Sequence, residues 1–201
     1  AGCDLYISFD NTEVGRLMAE SMLENIPDGG DIFLIQGPLT DNNVSLIREG
    51  IDETLAGSNL NVVYEANCPG WIAENAYTYT KEGLKLDRNV KGIICGNDDL
   101  ASQAFRALSE ERLAGKVCVT GQDGDLAACQ RIVEETQEMT AFKSVEQEAS
   151  LAAKCAVLLG LGEEIEEVQD TAYDGTYNVP YLELQPIAVT KENMDEVIIK
   201  G

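Results

Sequence analysis

Histidine is missing altogether from this 201-residue chain. Without imidazole, His-based zinc sites and Ser-His-Asp relays lose their usual parts. None of the six cysteines (Cys3, Cys68, Cys95, Cys118, Cys129 and Cys155) stands in a Cys-x-x-Cys pair, so the other common zinc or redox arrangement is missing too. Cys95 and Cys118 lie inside apolar runs, where a thiol behaves as a small hydrophobe. Such thiols fit a reducing setting, or an anaerobe exporting proteins with little disulfide chemistry. No Gly-x-Gly-x-x-Gly follows a strand, and no phosphate loop or Gly-x-Ser-x-Gly elbow occurs. There is no apolar run of bilayer length, no internal repeat and no low-complexity tract. The opening Ala1-Gly2-Cys3-Asp4 does not read as a signal peptide, and the chain is expected to be a mature or excised soluble portion.

Positive charge is scarce: 14 basic against 36 acidic residues give a net charge of −22. Such a surface repels phosphate backbones and anionic lipid, which argues against nucleic-acid partners and direct membrane insertion. A neutral or cationic small ligand fits better than an anionic one, although the acid also serves solubility. Hydrophobic content of 44% with 25% charged residues is ordinary for a globular protein, and the length allows one large domain or two small lobes.

What is present is an alternation. Strand-like runs at 4–9, 31–36, 61–65, 91–95, 116–120 and 138–142 are each followed by a helical pattern, the last at 144–159. This order predicts an α/β fold with parallel strands covered by helices. From Gly160 the pattern changes to an acidic connector, then an extended segment at Val179–Val189. Its two prolines, Pro180 and Pro186, mark it as an edge strand or a crossing. Lys191–Ile199 reads as a short terminal helix or turn.

Four of the apolar runs end in acid and amide clusters: Asp10-Asn11, Asp41-Asn42-Asn43, Asn97-Asp98-Asp99 and Gln122-Asp123-Gly124-Asp125. In open parallel sheets ligands bind outside the carboxyl ends of the strands. Asp10, Asn97 and Asp123 each fit a helix N-cap when taken alone. Together they compose a polar pocket suited to vicinal diols, since carboxylates accept from adjacent hydroxyls and Asn both donates and accepts. Trp71, the only tryptophan, is either a core residue at a helix start or a flat face for a sugar ring. Lys143 opens the next helix, where a cation opposes the macrodipole, which points to a binding role. Arg48 reads as a surface or inter-lobe ion pair. Carboxylate pairs at Asp98/Asp99 and Asp123/Asp125 give glycoside hydrolysis only weak support, because adjacent side chains point apart and Asp-x-Asp is common in turns.

These residues carry a resemblance. Ser8-Phe9-Asp10-Asn11, Asp41-Asn42-Asn43 with Arg48-Glu49-Gly50, Gly70-Trp71-Ile72-Ala73-Glu74-Asn75, Asn97-Asp98, Gly121-Gln122-Asp123-Gly124-Asp125 and Met139-Thr140-Ala141-Phe142-Lys143 resemble, in order and spacing, the type I periplasmic sugar-binding proteins of ABC transporters. Within that family the likeness is to the xylose-binding branch, and it runs over nearly the whole chain. It implies two Rossmann-like lobes joined by three crossings, near Gln36–Pro38, Phe142–Ser144 and Val179–Gln185. It also implies a non-catalytic site for a monosaccharide, a xylose-like pentose or related aldose, formed by Asp10, Asn42, Asn43, Trp71, Asn97, Asp123 and Lys143. No cofactor or metal is expected. The partners implied are the sugar and an ABC permease or membrane sensor, in an extracytoplasmic location.

The resemblance also implies a departure, because the strand–helix units that precede Leu5–Phe9 in the family have no counterpart here. Residues 1–35 and 144–180 are then expected to form a remnant of the N-terminal lobe, and 36–143 with 181–201 a C-terminal lobe. A remnant lobe calls for a complementing N-terminal fragment or a homodimer. The alternative function is a shortened, dimerising sensory fragment that no longer binds sugar unaided.

Overall fold

A computed structural model describes residues 3–168, 170–173 and 175–200; Ala1, Gly2, Gln169, Asp174 and Gly201 lie outside the described residues. The chain divides into two compact units, one of Ala1–Asp10 with Lys143–Pro186 and one of Asn11–Phe142 with Ile187–Gly201.

The larger unit is a doubly wound α/β layer. Its helices are α1 (Asn11–Asn25), α2 (Asn42–Leu55), α3 (Glu74–Leu86), α4 (Asp98–Glu110) and α5 (Leu126–Val133). Its strands are β2 (Gly30–Gln36), β3 (Leu60–Asn67), β4 (Gly92–Cys95), β5 (Cys118–Gln122), β6 (Met139–Phe142) and β9 (Ile187–Val189), in the order β3-β2-β4-β5-β6-β9. All neighbours pair in parallel except β6 with β9. A buried parallel sheet needs strands apolar on both faces, and β2 supplies them. Ile32 and Leu34 enter one cluster with Val14, Met18, Met22, Ile47 and Ile51 of α1 and α2. Phe33 and Ile35 face the other way, into a cluster with Ala76 and Leu84 of α3 and Leu100, Ala104 and Leu108 of α4. Helices α1 and α2 cross backbone to backbone. A Cβ on Gly15 would stand 2.0 Å from the Ile47 oxygen, and one on Gly50 1.9 Å from the Thr12 oxygen.

The smaller unit holds β1 (Tyr6–Phe9), α6 (Val145–Leu161), β7 (Asp170–Tyr173) and β8 (Asn178–Leu184), with the sheet order β1-β8-β7. Helix α6 is capped by Ser144, whose hydroxyl accepts from the Gln147 N–H at 3.2 Å, and it ends at Gly162 in the left-handed conformation (φ 72°). Of its 17 residues only Cys155 is buried.

Three expectations need correction. The chain passes between the compact units at Asp10/Asn11, Phe142/Lys143 and Pro186/Ile187, whereas the crossings were expected near Gln36–Pro38, Phe142–Ser144 and Val179–Gln185. Residues 11–35 therefore belong to the larger unit and 181–186 to the smaller one. The reason is pairing: β2 is hydrogen-bonded to both β3 and β4, and α1 is locked onto α2 through Gly15 and Gly50. Second, β8 is a central strand despite Pro180. Its register with β1 begins only at Tyr181, so Pro180 has β7 as its one paired neighbour and its missing N–H breaks no ladder on the other side. Third, Lys143 lies ahead of the Ser144 cap and outside the first helical turn, so the macrodipole argument for it lapses. The end of the chain is a single wide turn at Asp195–Ile199. Among the described residues no helix is long and apolar enough to cross a membrane.

Candidate functional site

In the larger unit the chain leaves β2 for β3 on one side and returns to β4 on the other. Such a reversal opens a crevice at the carboxyl ends of the two diverging strands, the usual ligand position in this architecture. Gly37 follows β2 and Gly96 follows β4, and both are buried. A Cβ on Gly37 would lie 2.3 Å from Cη2 of Trp71, and one on Gly96 would lie 3.2 Å from its Cζ3. The indole therefore rests on the two glycines, over the crevice itself.

Trp71 reaches this place from a single helical turn, Pro69–Trp71, where its own backbone is left-handed (φ 58°). A left-handed tryptophan costs of the order of 1–2 kcal/mol and persists only when its surroundings hold it. Here they do. The ring packs against the cluster around Phe33 and Ile35, and Nε1–H donates to Asp41 Oδ2 at 3.1 Å. The other carboxylate oxygen of Asp41 caps α2, accepting from the Asn43 N–H at 2.9 Å. One aspartate thus starts the helix and orients the ring. Trp71 is thus a half-buried packing residue with an oriented polar edge.

The other groups are arrayed along the same strand ends. Asn42 and Asn43 open α2, both exposed, and Asn43 Oδ1 accepts from Asn11 Nδ2 at 3.2 Å. Asn97 follows β4 and caps α4, its Oδ1 accepting from the Leu100 N–H at 2.9 Å. Capping occupies that oxygen and leaves the Nδ2 hydrogens to offer a ligand. Asp123 follows β5, exposed, with φ at 101° and its N–H bonded to the Ala141 oxygen at 3.0 Å. These four positions share the larger unit. Asp10 and Lys143 belong to the smaller one, both half-buried; the Asp10 N–H is held by the Leu184 oxygen at 2.9 Å.

Asp98 and Asp99 diverge, as adjacent residues at a helix start must: Asp99 is exposed and Asp98 fully buried. Burial pushes the Asp98 carboxyl up to about 6, against the pull of its hydrogen bonds from Thr140, Gln137 and the Asp125 N–H. The cysteines are all unpaired, and desolvation raises Cys68 and Cys118 to about 11 and Cys95 further, as inert thiols require. Arg48 is a surface ion-pair residue, bridging Asp52 and Glu65. An acidic cavity of about 590 Å³, lined among others by Glu20, Glu24, Glu135 and Glu138, lies at the amino end of β6 and holds none of the expected site residues. Among the described residues no cluster of His, Cys, Asp or Glu could hold a metal ion.

Sequence reasoning missed the support of this site: Asp41 under Trp71, Gly37 and Gly96 beneath the ring, and the buried Gln36 and Gln122 at the ends of β2 and β5. Asp41 was visible only as part of the Asp41-Asn42-Asn43 cluster. Its bond to Trp71 spans 30 residues and has no local signal.

A family model described as the periplasmic binding protein domain matches residues 1–164, and the chain belongs to that family. Its α/β architecture is that of the type I members. Over 205 aligned positions it is 40% identical to the D-xylose-binding periplasmic protein of Haemophilus influenzae, covering 100% of this chain and 61% of that protein. The D-xylose-binding periplasmic protein of Escherichia coli is 38% identical, with 100% and 62% covered. Among solved structures, an ABC transporter solute-binding protein from Clostridium phytofermentans with bound β-D-glucose is 25% identical, with a TM-score of 0.85 over 98% of this chain and 67% of that one. The chain thus spans about three-fifths of the length of the curated relatives it matches.

Proposed function

We propose that this chain carries the sugar-recognising wall of an extracytoplasmic solute-binding protein, non-catalytic, that delivers a monosaccharide to an ABC permease. The single observation that carries this reading is Trp71, set over the β2/β4 crevice on Gly37 and Gly96 with its indole N–H tied to Asp41. An indole face fixed at a strand-end crevice is a platform for the C–H face of a pyranose. Asn42 and Asn43, the Asn97 amide and the Asp123 carboxylate, at neighbouring strand ends, would take the hydroxyls. Asp10 and Lys143 enter through the family resemblance alone. The D-xylose-binding relatives make a pentose or related aldose the first ligand to try.

Calorimetry with D-xylose, D-glucose and D-ribose tests it. Heat of binding is expected with at least one, and silence at millimolar sugar rejects unaided binding by this chain. Asp123→Ala and Trp71→Ala are each expected to weaken that binding by about 1.5–3 kcal/mol, roughly ten- to a hundredfold. Unchanged affinity in both variants moves the site elsewhere.

The smaller unit supports a second part of the reading, that it is an incomplete first lobe. Three strands and one helix leave Val145, Val157 and Leu161 of α6 between 62% and 73% exposed, where a full lobe would cover them. The same surface favours the alternative, a dimerising sensory fragment that has lost autonomous binding. Sedimentation of the purified chain separates the two: a compact monomer that binds sugar counts against the fragment, and a dimer without binding supports it.

A further inference from the structure

Asp98 is fully buried, yet its carboxylate is surrounded by four donors from three parts of the chain. Oδ2 accepts from Thr140 Oγ1 at 2.7 Å and from the successive backbone N–H groups of Gly124 and Asp125, both at 3.0 Å. Oδ1 accepts from Gln137 Nε2 at 2.9 Å. Consecutive N–H groups converging on one anion form a nest, and a nest needs unusual backbone angles to build. Those angles fall on Asp123 (φ 101°) and Gly124 (φ 75°). Space is matched as closely: a Cβ on Gly121 would meet Asp98 Oδ1 at 2.3 Å, and one on Gly124 would meet Phe142 Cδ2 at 2.6 Å. The loop that presents Asp123 is thus wrapped around a carboxylate that never reaches the surface.

We infer that Asp98 is the positioning residue of the strand-end site: its ionised carboxylate holds the Asp123–Asp125 loop in the shape that presents Asp123 to the ligand. This rests on the sugar-binding reading above and adds to it a proton dependence from a group that does not touch the sugar. The titratable groups facing Asp98 are Asp125 from the loop, Arg131 and the neutral thiol of Cys129 from α5, and the neutral thiol of Cys95 from β4. From β5 and β6 come the neutral Gly121 and Thr140, with Gln137 just before β6. Arg131 is itself engaged, through Nε with Gln137 Oε1 and through Nη1 with Ser102 Oγ, both at 2.9 Å. A proton on Oδ1 would face the donating Gln137 amide, which cannot flip to receive it without losing Arg131. A proton on Oδ2 could be received by the Thr140 hydroxyl only if that group gave up its own donation. Either way the Gly124 and Asp125 N–H groups are left with a neutral, weaker acceptor. Acid therefore opens the nest.

The test reads the loop and the ligand separately, using the full chain. In the sugar-free protein, the amide resonances of Gly124 and Asp125 are followed from pH 8 to pH 4.5 in wild type and in Asp98→Asn. Both amides are expected to titrate with a midpoint near 6 in wild type and to lose that step in the variant. Sugar affinity is measured over the same range. Wild-type affinity is expected to fall as pH drops through the midpoint, and Asp98→Asn to bind roughly tenfold more weakly at pH 7.5, with a flat profile. Should Asp98→Asn fail to fold, Thr140→Val removes one of the four donors and is expected to raise the midpoint of the same amides. Amides that ignore pH in wild type, or an Asp98→Asn variant with wild-type affinity and pH profile, overturn the inference. If no sugar binds at any pH while the amides titrate, the nest stands and the sugar-binding reading fails.

Discussion

The two units of this protein use the same vocabulary, parallel strands and apolar helices, to opposite effect. In the larger one every side chain from Ile32 to Ile35 is completely buried, because α1 and α2 cover one face and α3 and α4 the other. In the smaller one α6, a 17-residue helix rich in Leu, Val and Ala, buries Cys155 alone. Apolar content is thus no measure of burial. What separates the units is how many layers each has to put on its sheet.

That contrast predicts a graded set of stability effects. Phe33 fills the core between β2 and α3, against Gly83 and edge-on to Tyr64. Phe33→Ala is expected to cost about 3–5 kcal/mol in urea denaturation. A loss below ~1 kcal/mol would mean that the larger unit is packed no better than the smaller.

Next comes the pH dependence attached to Asp98. Its folded-state value of about 6 lies above the ordinary 3.8 because burial penalises its charge. The folded chain therefore keeps this proton to a higher pH than the unfolded chain. The stabilisation from the group is complete below about 3.8, declines as pH rises toward 6, and is lost above it, an effect of about 3 kcal/mol. Comparison of wild type with Asp98→Asn by thermal denaturation should show wild type losing ground as pH rises through that window. A difference that does not change with pH would remove the buried carboxylate from the account. Acid would thus stabilise the fold while loosening the loop at the site, and those opposite signs set this group apart from a simple structural acid.

Asp41→Ala follows in size. The loss of the α2 cap is expected to cost about 1 kcal/mol of stability. The freed indole should shift the fluorescence of the chain's sole tryptophan, and an unmoved emission spectrum would show that Asp41 does not hold the ring. Val157→Ala on α6 is the smallest, within ~0.5 kcal/mol, since that side chain is 62% exposed. A larger loss would show that α6 is covered in solution, by a second copy or by other segments.

Much of this architecture was legible in advance. The six strand–helix alternations through α6 follow from apolar runs punctuated by caps and glycines, with ends within a few residues of those expected. The cap Asn97 was legible because a helix start needs a side-chain acceptor close in sequence. The change of unit at Asp10/Asn11, in place of the 35/36 expected, was not, because nothing in Gly30–Gln36 tells which strands will flank it. Pro180 misled for the same reason: its rule concerns hydrogen-bonding neighbours, which only the assembled sheet defines. At the site, Asn97, Asp123 and Trp71 were visible as residue types at junctions, whereas Gly37, Gly96 and Asp98 do their part through partners up to 42 residues away.

By itself the sequence determined the local elements, the chemical character of the strand ends and the family, because those depend on period, capping and residue order. Tertiary structure alone decided which unit each element joins, that the indole lies over the β2/β4 crevice, and that a buried carboxylate shapes the loop of Asp123. These are contacts between distant segments, and a linear pattern carries no record of which distant group will be close enough to matter.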